Sequence, residues 1–377
     1  MDYTPIDLHD FAERVSSWMT AGSGGAAGAE SSDVVVSCRV RLARNLRGFP
    51  FCSRLAPERA RELAQLVEPH LIAAALDGET RWVPMEKAGP VLRMMLRERH
   101  LISSDLAPEN EAGETPPGRA VAFGETERLS VMVNEEDHLR IQSVAPGFDF
   151  DGAFAAAETL DRFLETRLPL AFTEKLGYLT GCPTNVGTGL RASVMLHLPG
   201  LGLVRSELEK VFAAAERTGL AVRGLHGEGS RAVGDFYQIS NQVTLGRSEA
   251  SLMEDLHALV PVIVNFERKV RSALFDDQPA ALKDRISRSL GVLRTSRSLG
   301  TEAALGHIST VRLGRYLGIL DATSMRVLNE LGVQVQKGHL LALSRENKPE
   351  SLPGASERDS LRAGWIRSRL AGGSGGK

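Results

Sequence analysis

The sequence predicts an α+β fold, an antiparallel β-sheet flanked by helices, followed by an all-helical C-terminal domain. Three observations carry this expectation. Two β-like runs, Leu129 to Val133 and His138 to Val144, are separated only by Asn134, Glu135, Glu136 and Asp137, which is the pattern of a hairpin. Helical and β-like segments elsewhere do not alternate one for one, which disfavours a doubly wound parallel sheet. From Ser251 to Leu370 the apolar spacing is almost wholly helical.

Taken in chain order, a short helical start ends near Met19, and the Gly/Ala/Ser-rich stretch from Ala21 to Ser32 reads as a link. Val34 to Val40 reads as a strand. Pro57 opens a helix whose apolar stripe is Leu63, Leu66, Val67 and Ile72, and Pro90 to His100 forms another. Ala107 to Gly118 is a surface loop rich in Pro, Glu and Gly. After the hairpin come a helix over Phe154 to Leu168, a strand over Arg191 to Leu198 and a helix over Leu203 to Thr218. Strands over Leu220 to Gly224 and Asp235 to Ser240 follow. Ser251 with Glu254 fits a capping box opening the helical part. The expected division is therefore a short N-terminal helix and link (1–33), an α+β domain (34–276), a helical domain (277–370) and a disordered Gly-rich tail (371–377).

At 377 residues and 42% hydrophobic the chain can bury a large core. Its formal charge of -2 gives no global field for nucleic acid or an anionic membrane, so an anion site must be built locally. The basic residues comprise 37 Arg and eight Lys, a choice that suits phosphate and carboxylate recognition and equally fits codon bias. Three scattered cysteines exclude a disulfide framework and a Cys-x-x-Cys metal site. With neither an apolar leader nor a run of about 18 apolar residues, a cytoplasmic chain is expected.

Five constellations could carry chemistry. In Ser37-Cys38-Arg39-Val40-Arg41, strand alternation places Arg39 and Arg41 on one face, a clamp for an anion or a solvated strand face. The hairpin crowds Glu135, Glu136 and Asp137 ahead of His138 and Arg140, either a polar tip or carboxylates meeting cations. Gly181 to Ala192 is a small-residue loop through Cys182 into Arg191 and Ala192; its Gly-x-Gly-x-x-Ala pattern, like that of Gly227 to Ala232, lacks the following helix of a dinucleotide fingerprint. Arg223-Gly224-Leu225-His226-Gly227-Glu228 ends a strand in a glycine-hinged loop that presents one carboxylate. Finally, Arg358 and Arg362 stand one helical turn apart, with Asp359 and Ala363.

As an ordered set, Ser-x-Arg-Val-Arg, Asn-Glu-Glu-Asp-His-Leu-Arg, Cys-Pro-Thr-Asn-x-Gly-Thr-Gly-Leu-Arg and Arg-Gly-x-x-Gly-Glu resemble the ATP:guanido phosphotransferases, which include creatine and arginine kinases. The resemblance covers about Val34 to Glu249 and implies an antiparallel sheet flanked by helices, with ATP and Mg²⁺ as cofactors. It implies that Arg39, Arg41, Arg140, Arg191 and Arg223 clamp the nucleotide phosphates. Ser37, Cys38, Val40, His100, Ala192, Ser193, Val194, Met195, Gly224, Leu225, His226, Gly227 and Glu228 complete the implied nucleotide site, with His100 against the adenosine. The implied catalytic residues are Glu136 and Glu228 as carboxylates and Cys182 beside the acceptor guanidinium; no metal ligand is implied. Cys38 departs from the family's usual Ser or Thr.

Family members acting on small molecules carry a helical domain ahead of the Arg-x-Arg strand, whereas 33 residues precede Val34 here, so an open site admitting arginine within a polypeptide is expected. Arg358, Asp359, Arg362 and Ala363 match the Arg-Asp-x-x-Arg-Ala phosphoarginine-binding motif of the bacterial branch that acts on proteins. That branch implies marking of proteins for a Clp-type unfoldase and protease in stress response, a zinc-binding activator and a homodimer. The alternatives are a kinase for free arginine or another phosphagen, and a non-catalytic phosphoarginine-binding adaptor.

Overall fold

The computed structural model describes residues 3–20, 29–107, 115–224, 233–320, 323–344 and 353–372. After the short helix α1 (Leu8–Glu13), the chain enters its longest strand, β1 (Val35–Arg44). Cys38, Val40 and Leu42 are buried while Ser37, Arg39 and Arg41 are only half-buried, the alternation expected of a strand with one apolar face. Helix α2 (Pro57–Ala73), β2 (Arg81–Pro84), α3 (Pro90–Glu98) and β3 (Ala120–Phe123) follow. The hairpin is β4 (Leu129–Val133) and β5 (Leu139–Pro146), with Val133 paired to Leu139. Next come α4 (Phe150–Glu165), a two-residue hairpin β6 (Phe172–Thr173) and β7 (Gly177–Tyr178), and β8 (Leu190–His197). Helices α5 (Pro199–Leu203) and α6 (Arg205–Arg217) precede β9 (Leu220–Gly224) and β10 (Phe236–Asn241).

The main sheet is antiparallel in the order β2-β3-β4-β5-β1-β8-β10-β9. Its apolar face is covered by α4 and by α7 (Glu249–Asp277): Val40 and Leu42 share one core with Phe150, Ala157 and Leu160 of α4 and Leu256, Val260 and Ile263 of α7. Burial of these side chains, at about 1.5–3 kcal/mol each, fixes which face of β1 is left for chemistry.

Helices α8 (Pro279–Thr295), α9 (Thr301–Tyr316), α10 (Met325–Gln334), α11 (Lys337–Leu343) and α12 (Ala355–Gly372) form the helical C-terminal part. Leu293, Leu305, Ile308, Leu331 and Ile366 make its core. Helix α11 turns back: Ala342 and Leu343 pack with Leu92, Met95 and Leu96 of α3. No helix among the described residues is long and apolar enough to cross a membrane.

Three local readings differ from the expectation. Helix α4 begins at Phe150, four residues early, because Asp149 caps it by accepting from the Gly152 N–H at 2.9 Å. Helix α7 is capped by Ser248, which accepts from the Ser251 N–H at 3.1 Å, so Ser251 already lies inside the helix. Strands β2 and β3, four residues each, were too short for an alternation pattern to reveal.

Candidate active site

Ser37, Arg39, Arg41 and Ala43 lie on one face of β1. The register carries that face across the sheet: Arg140 of β5 stands opposite Ala43, and Arg191 of β8 opposite Arg41. Ser37 stands opposite Met195, Met195 opposite Gln238 of β10, and Gln238 opposite Arg223 of β9. Directly opposed residues project to the same side, so all five arginines leave the sheet on the face away from α4 and α7. Ser37, Ser193 and Met195 share that face. Cys38, Val40, Ala192 and Val194 turn into the core, where each is fully buried.

Gathering cations is costly, and the side chains record it. Burial pushes the Arg39 guanidinium down to about 10, with Arg140 and Arg191 adding repulsion. Arg41 is pushed further down, by burial and then by Arg39, Arg140 and Arg191, against a weaker pull from Glu135. Arg39 Nη2 donates to Gln238 Oε1 at 2.9 Å and Arg191 Nη2 to Ser240 Oγ at 3.2 Å. The Arg41 Nε–H is buried without a hydrogen-bond partner among the described residues. A cluster of repelling cations with an unsatisfied donor is what a polyanionic ligand such as a triphosphate would complete.

Arg140 is anchored differently. Its Nη1 donates to both oxygens of Glu135, at 2.7 and 2.5 Å. Burial would lower Arg140 and raise Glu135, but the pair's mutual attraction outweighs it and leaves Arg140 raised and Glu135 lowered. Ser103 Oγ and the Glu136 N–H also donate to Glu135.

At the hairpin tip, Asn134, Glu135, Asp137 and His138 are buried and Glu136 alone is exposed. Asn134 takes a left-handed conformation, φ 56°, and donates from Nδ2 to the carbonyls of Ala60 and Gly118. Asp137 accepts from Asn45 Nδ2 at 2.6 Å and from the Gly181 N–H at 2.5 Å. His138 Nδ1 accepts from the Leu46 N–H at 3.0 Å, which leaves Nε2 to donate to the Pro50 carbonyl at 2.8 Å. These bonds fix the turn and hold up one carboxylate. Partial burial raises the Glu136 pKa, Arg140 opposes the rise, and Asp137 and Glu135 add to it.

The Gly181–Gly189 loop closes against that carboxylate. Asn185 Nδ2 donates to Glu136 Oε2 at 3.3 Å, and a Cβ at Gly181 would stand 2.7 Å from the Glu136 carbonyl oxygen, so only glycine fits. Cys182 Sγ lies 3.0 Å from Thr184 Oγ1. Buried Arg44 holds the loop's far end, donating to Asp161 at 2.9 and 2.6 Å and to the Thr188 carbonyl at 2.9 Å. His100 follows α3 in a left-handed conformation; its carbonyl accepts from Gln142 Nε2 at 2.7 Å, and Gln142 stands opposite Arg41.

The structure thus brings together Arg39, Arg41, Arg140, Arg191 and Arg223 on one face, with Glu136 and the Cys182 loop at one side and His100 at another. Leu225, His226, Gly227 and Glu228 lie outside the described residues; Gly224 leads into them from β9. The Arg358 to Ala363 motif is separate, on α12. There Arg362 is buried, donating to the carbonyls of Val335 (2.7 Å) and Leu299 (2.8 Å) and to Asp359 Oδ1 (2.6 Å), while Arg358 donates to the Pro353 carbonyl. Ala363 lies in the helical core. Sequence reading missed Glu135, Gln238 and Ser240 as supports of the arginine face; the polar pair Gln238/Ser240, two apart on a strand, was the available signal for the last two.

Residues 62–270 match the family model of the ATP:guanido phosphotransferase C-terminal catalytic domain. The chain belongs to the ATP:guanido phosphotransferase family. Residues 279–375 match a second family model, the protein-arginine kinase McsB C-terminal domain. Among curated relatives, the protein-arginine kinase of Bacillus velezensis is 42% identical over 368 residues, covering 96% of this chain and 95% of the relative. That of Moorella thermoacetica is 42% identical over 365 residues, covering 96% and 99%. Among solved guanido phosphotransferases, the duplicated taurocyamine kinase from Schistosoma mansoni with bound transition state analog components is 27% identical with a TM-score of 0.57, over 63% of this chain and 33% of that one. Lombricine kinase, 24% identical with a TM-score of 0.55 over 72% and 73% of the two chains, shares the fold.

Proposed function

We propose that this phosphotransferase is an ATP-dependent protein-arginine kinase, which moves the γ-phosphoryl of ATP to the guanidinium of arginine residues in proteins. The observation that carries the chemistry is the single sheet face on which five arginines converge beside one projecting glutamate. Fixed guanidinium forks neutralise charge on the moving phosphoryl without reorganising, which is most of what phosphoryl transfer requires. The choice of a protein acceptor is supported by the relatives and by the C-terminal helical part.

In this reading Arg39, Arg41, Arg140, Arg191 and Arg223 hold the nucleotide phosphates, and His100 lies along the adenosine. Ser37, Ser193 and Met195 line the same face. A guanidinium is a poor nucleophile because it is protonated at neutral pH. Glu136 accepts a proton from the attacking nitrogen as the N–P bond forms and the bond to ADP breaks, and Asn185 orients its carboxylate. Glu228 is a second carboxylate on the planar group, and Cys182 contacts it from the loop. Mg²⁺ bound with the nucleotide would neutralise further phosphate charge beside the arginines.

The catalytic part spans 34–276 and the helical part 277–370, where Arg358, Asp359, Arg362 and Ala363 form a phosphoarginine site. The same reading places the chain in the cytoplasm as a homodimer with a zinc-binding activator, its products passing to a Clp-type unfoldase in stress response. Incubation with Mg-ATP and either an unfolded protein or free arginine tests the acceptor. Mass spectrometry under conditions that preserve the acid-labile P–N bond should find phosphoarginine in the protein; turnover of free arginine alone would favour a phosphagen kinase.

A further inference from the structure

Behind His100 lies a buried polar cluster that the chemistry above leaves unused. Glu98 and Arg99 end α3 immediately before His100. The Glu98 carboxylate accepts from the N–H groups of Gly338 (2.7 Å) and His339 (3.0 Å), holding the start of α11. A Cβ at Gly338 would stand 2.7 Å from the Met94 Cβ, so α11 seats directly on α3. His339 Nδ1 lies 2.6 Å from Glu98 Oε2 and therefore carries the proton, which leaves Nε2 to accept from Arg99 Nη1 at 3.2 Å. A neutral imidazole is the form that bridges a carboxylate to a guanidinium.

Arg99 then spreads the contact. Its Nε donates to both oxygens of Glu127, at 3.0 and 2.8 Å, and its Nη2 to the Arg14 carbonyl at 3.0 Å. Ser16 Oγ donates to Glu127, so the segment leading to Trp18 is fastened to the same carboxylate. The Trp18 and His100 rings stand 5.4 Å apart. The side chains of Arg99 and His339 are both 0% exposed and that of Glu127 is 3% exposed, so losing any bond leaves a buried polar atom unmet. The charged groups facing His339 are Glu98, Arg99 and Glu127.

We infer that Glu98, Arg99 and His339 are positioning residues, through which α11 of the helical part sets His100 and Trp18 at the adenine end of the nucleotide site. This rests on reading His100 as the adenosine contact. The network touches the base end and leaves the arginine face to its own supports, so it governs recognition of the nucleoside separately from the triphosphate.

The test is steady-state kinetics on the full chain with ATP, an unfolded protein acceptor, and inorganic tripolyphosphate as a competitor that has no base. His339→Ala is expected to raise KM for ATP about tenfold, with kcat within about twofold and tripolyphosphate inhibition unchanged. His339→Gln, whose amide oxygen can accept from Arg99, should recover most of the loss. If the alanine variant does not fold, His339→Asn, whose shorter amide keeps a donor beside Glu98 but does not extend to the Nε2 position that meets Arg99, carries the same expectation. An unchanged KM for ATP, or equal losses for ATP and tripolyphosphate, overturns the inference. The His100→Ala control separates the two layers: an unchanged KM there refutes the adenosine contact itself, whereas a raised KM there with a normal His339→Ala refutes only the positioning role.

Discussion

Replacing Arg39 by Met should make the protein more stable while removing its capacity to bind nucleotide. Burial, with Arg140 and Arg191 adding repulsion, brings the Arg39 guanidinium down from its ordinary, strongly basic range to about 10. At about 1.4 kcal/mol per unit, the folded state holds this charge at a cost of about 3 kcal/mol. The cost is fully present at neutral pH, where Arg39 is charged whether folded or unfolded, and is relieved only as pH rises through about 10 toward the ordinary guanidinium range. Met removes it and gives up the bond to Gln238, worth about 1 kcal/mol, for a net gain of about 2 kcal/mol. Differential scanning calorimetry should show the transition of the sheet-containing part rise by ~4–8 °C. Mg-ATP at a hundred times its Kd should stabilise the wild type by about 2.7 kcal/mol and the variant scarcely at all. A variant that melts at or below the wild type and keeps its response to ATP would refute the reasoning.

Glu136→Gln should lower kcat by about 10²- to 10⁴-fold with ATP affinity unchanged by calorimetric titration. Because Glu136 must be ionised to accept a proton and its pKa is raised, kcat/KM should fall on the acid side with a midpoint above the ordinary carboxylate value of 4.5, an inflection absent in a slowed variant at that position. Arg140→Met leaves Glu135 buried and unpaired and should destabilise by about 3–5 kcal/mol in denaturant titration; adding Glu135→Met should restore much of it. Arg362→Met removes a buried cation and leaves the Val335 and Leu299 carbonyls and the Asp359 carboxylate without their donor, which should cost about 3 kcal/mol or more by the same measurement, whereas Arg358→Met, which among the described residues gives up the bond to the Pro353 carbonyl, should cost less than about 1 kcal/mol and report on phosphoarginine binding alone.

The arginine face was legible in the sequence as far as one strand reaches. Two-residue alternation put Arg39 with Arg41, and the hairpin put Arg140 with His138 on one face of a second strand; that this strand pairs with β1 is a finding of the structure. That Arg223 joins them depends on the pairings Ser37 to Met195 to Gln238 to Arg223, which are contacts between distant parts of the chain that no local pattern encodes. The acidic turn was legible as a cluster, but adjacent Glu135 and Glu136 have opposite fates, one buried against Arg140 and one projecting, and only the packing of Ser103 and the Arg140 side chain decides between them. The i, i+4 spacing of Arg358 and Arg362 placed both on one helix face; the depth at which Arg362 lies comes from α10 and the Leu299 turn closing over it. The Glu98–Arg99–His339 cluster left no trace in the sequence, since His339 lies 240 residues from Arg99 and 241 from Glu98.

A crystal structure with Mg-ADP, a planar anion in place of the moving phosphoryl and an arginine-containing peptide tests the whole arrangement most directly. Phosphate oxygens bonded to Arg39, Arg41, Arg140, Arg191 and Arg223, with the Glu136 carboxylate about 3 Å from the accepting nitrogen, are the predicted result. A nucleotide seated away from that face, or a peptide guanidinium turned from Glu136, would contradict it.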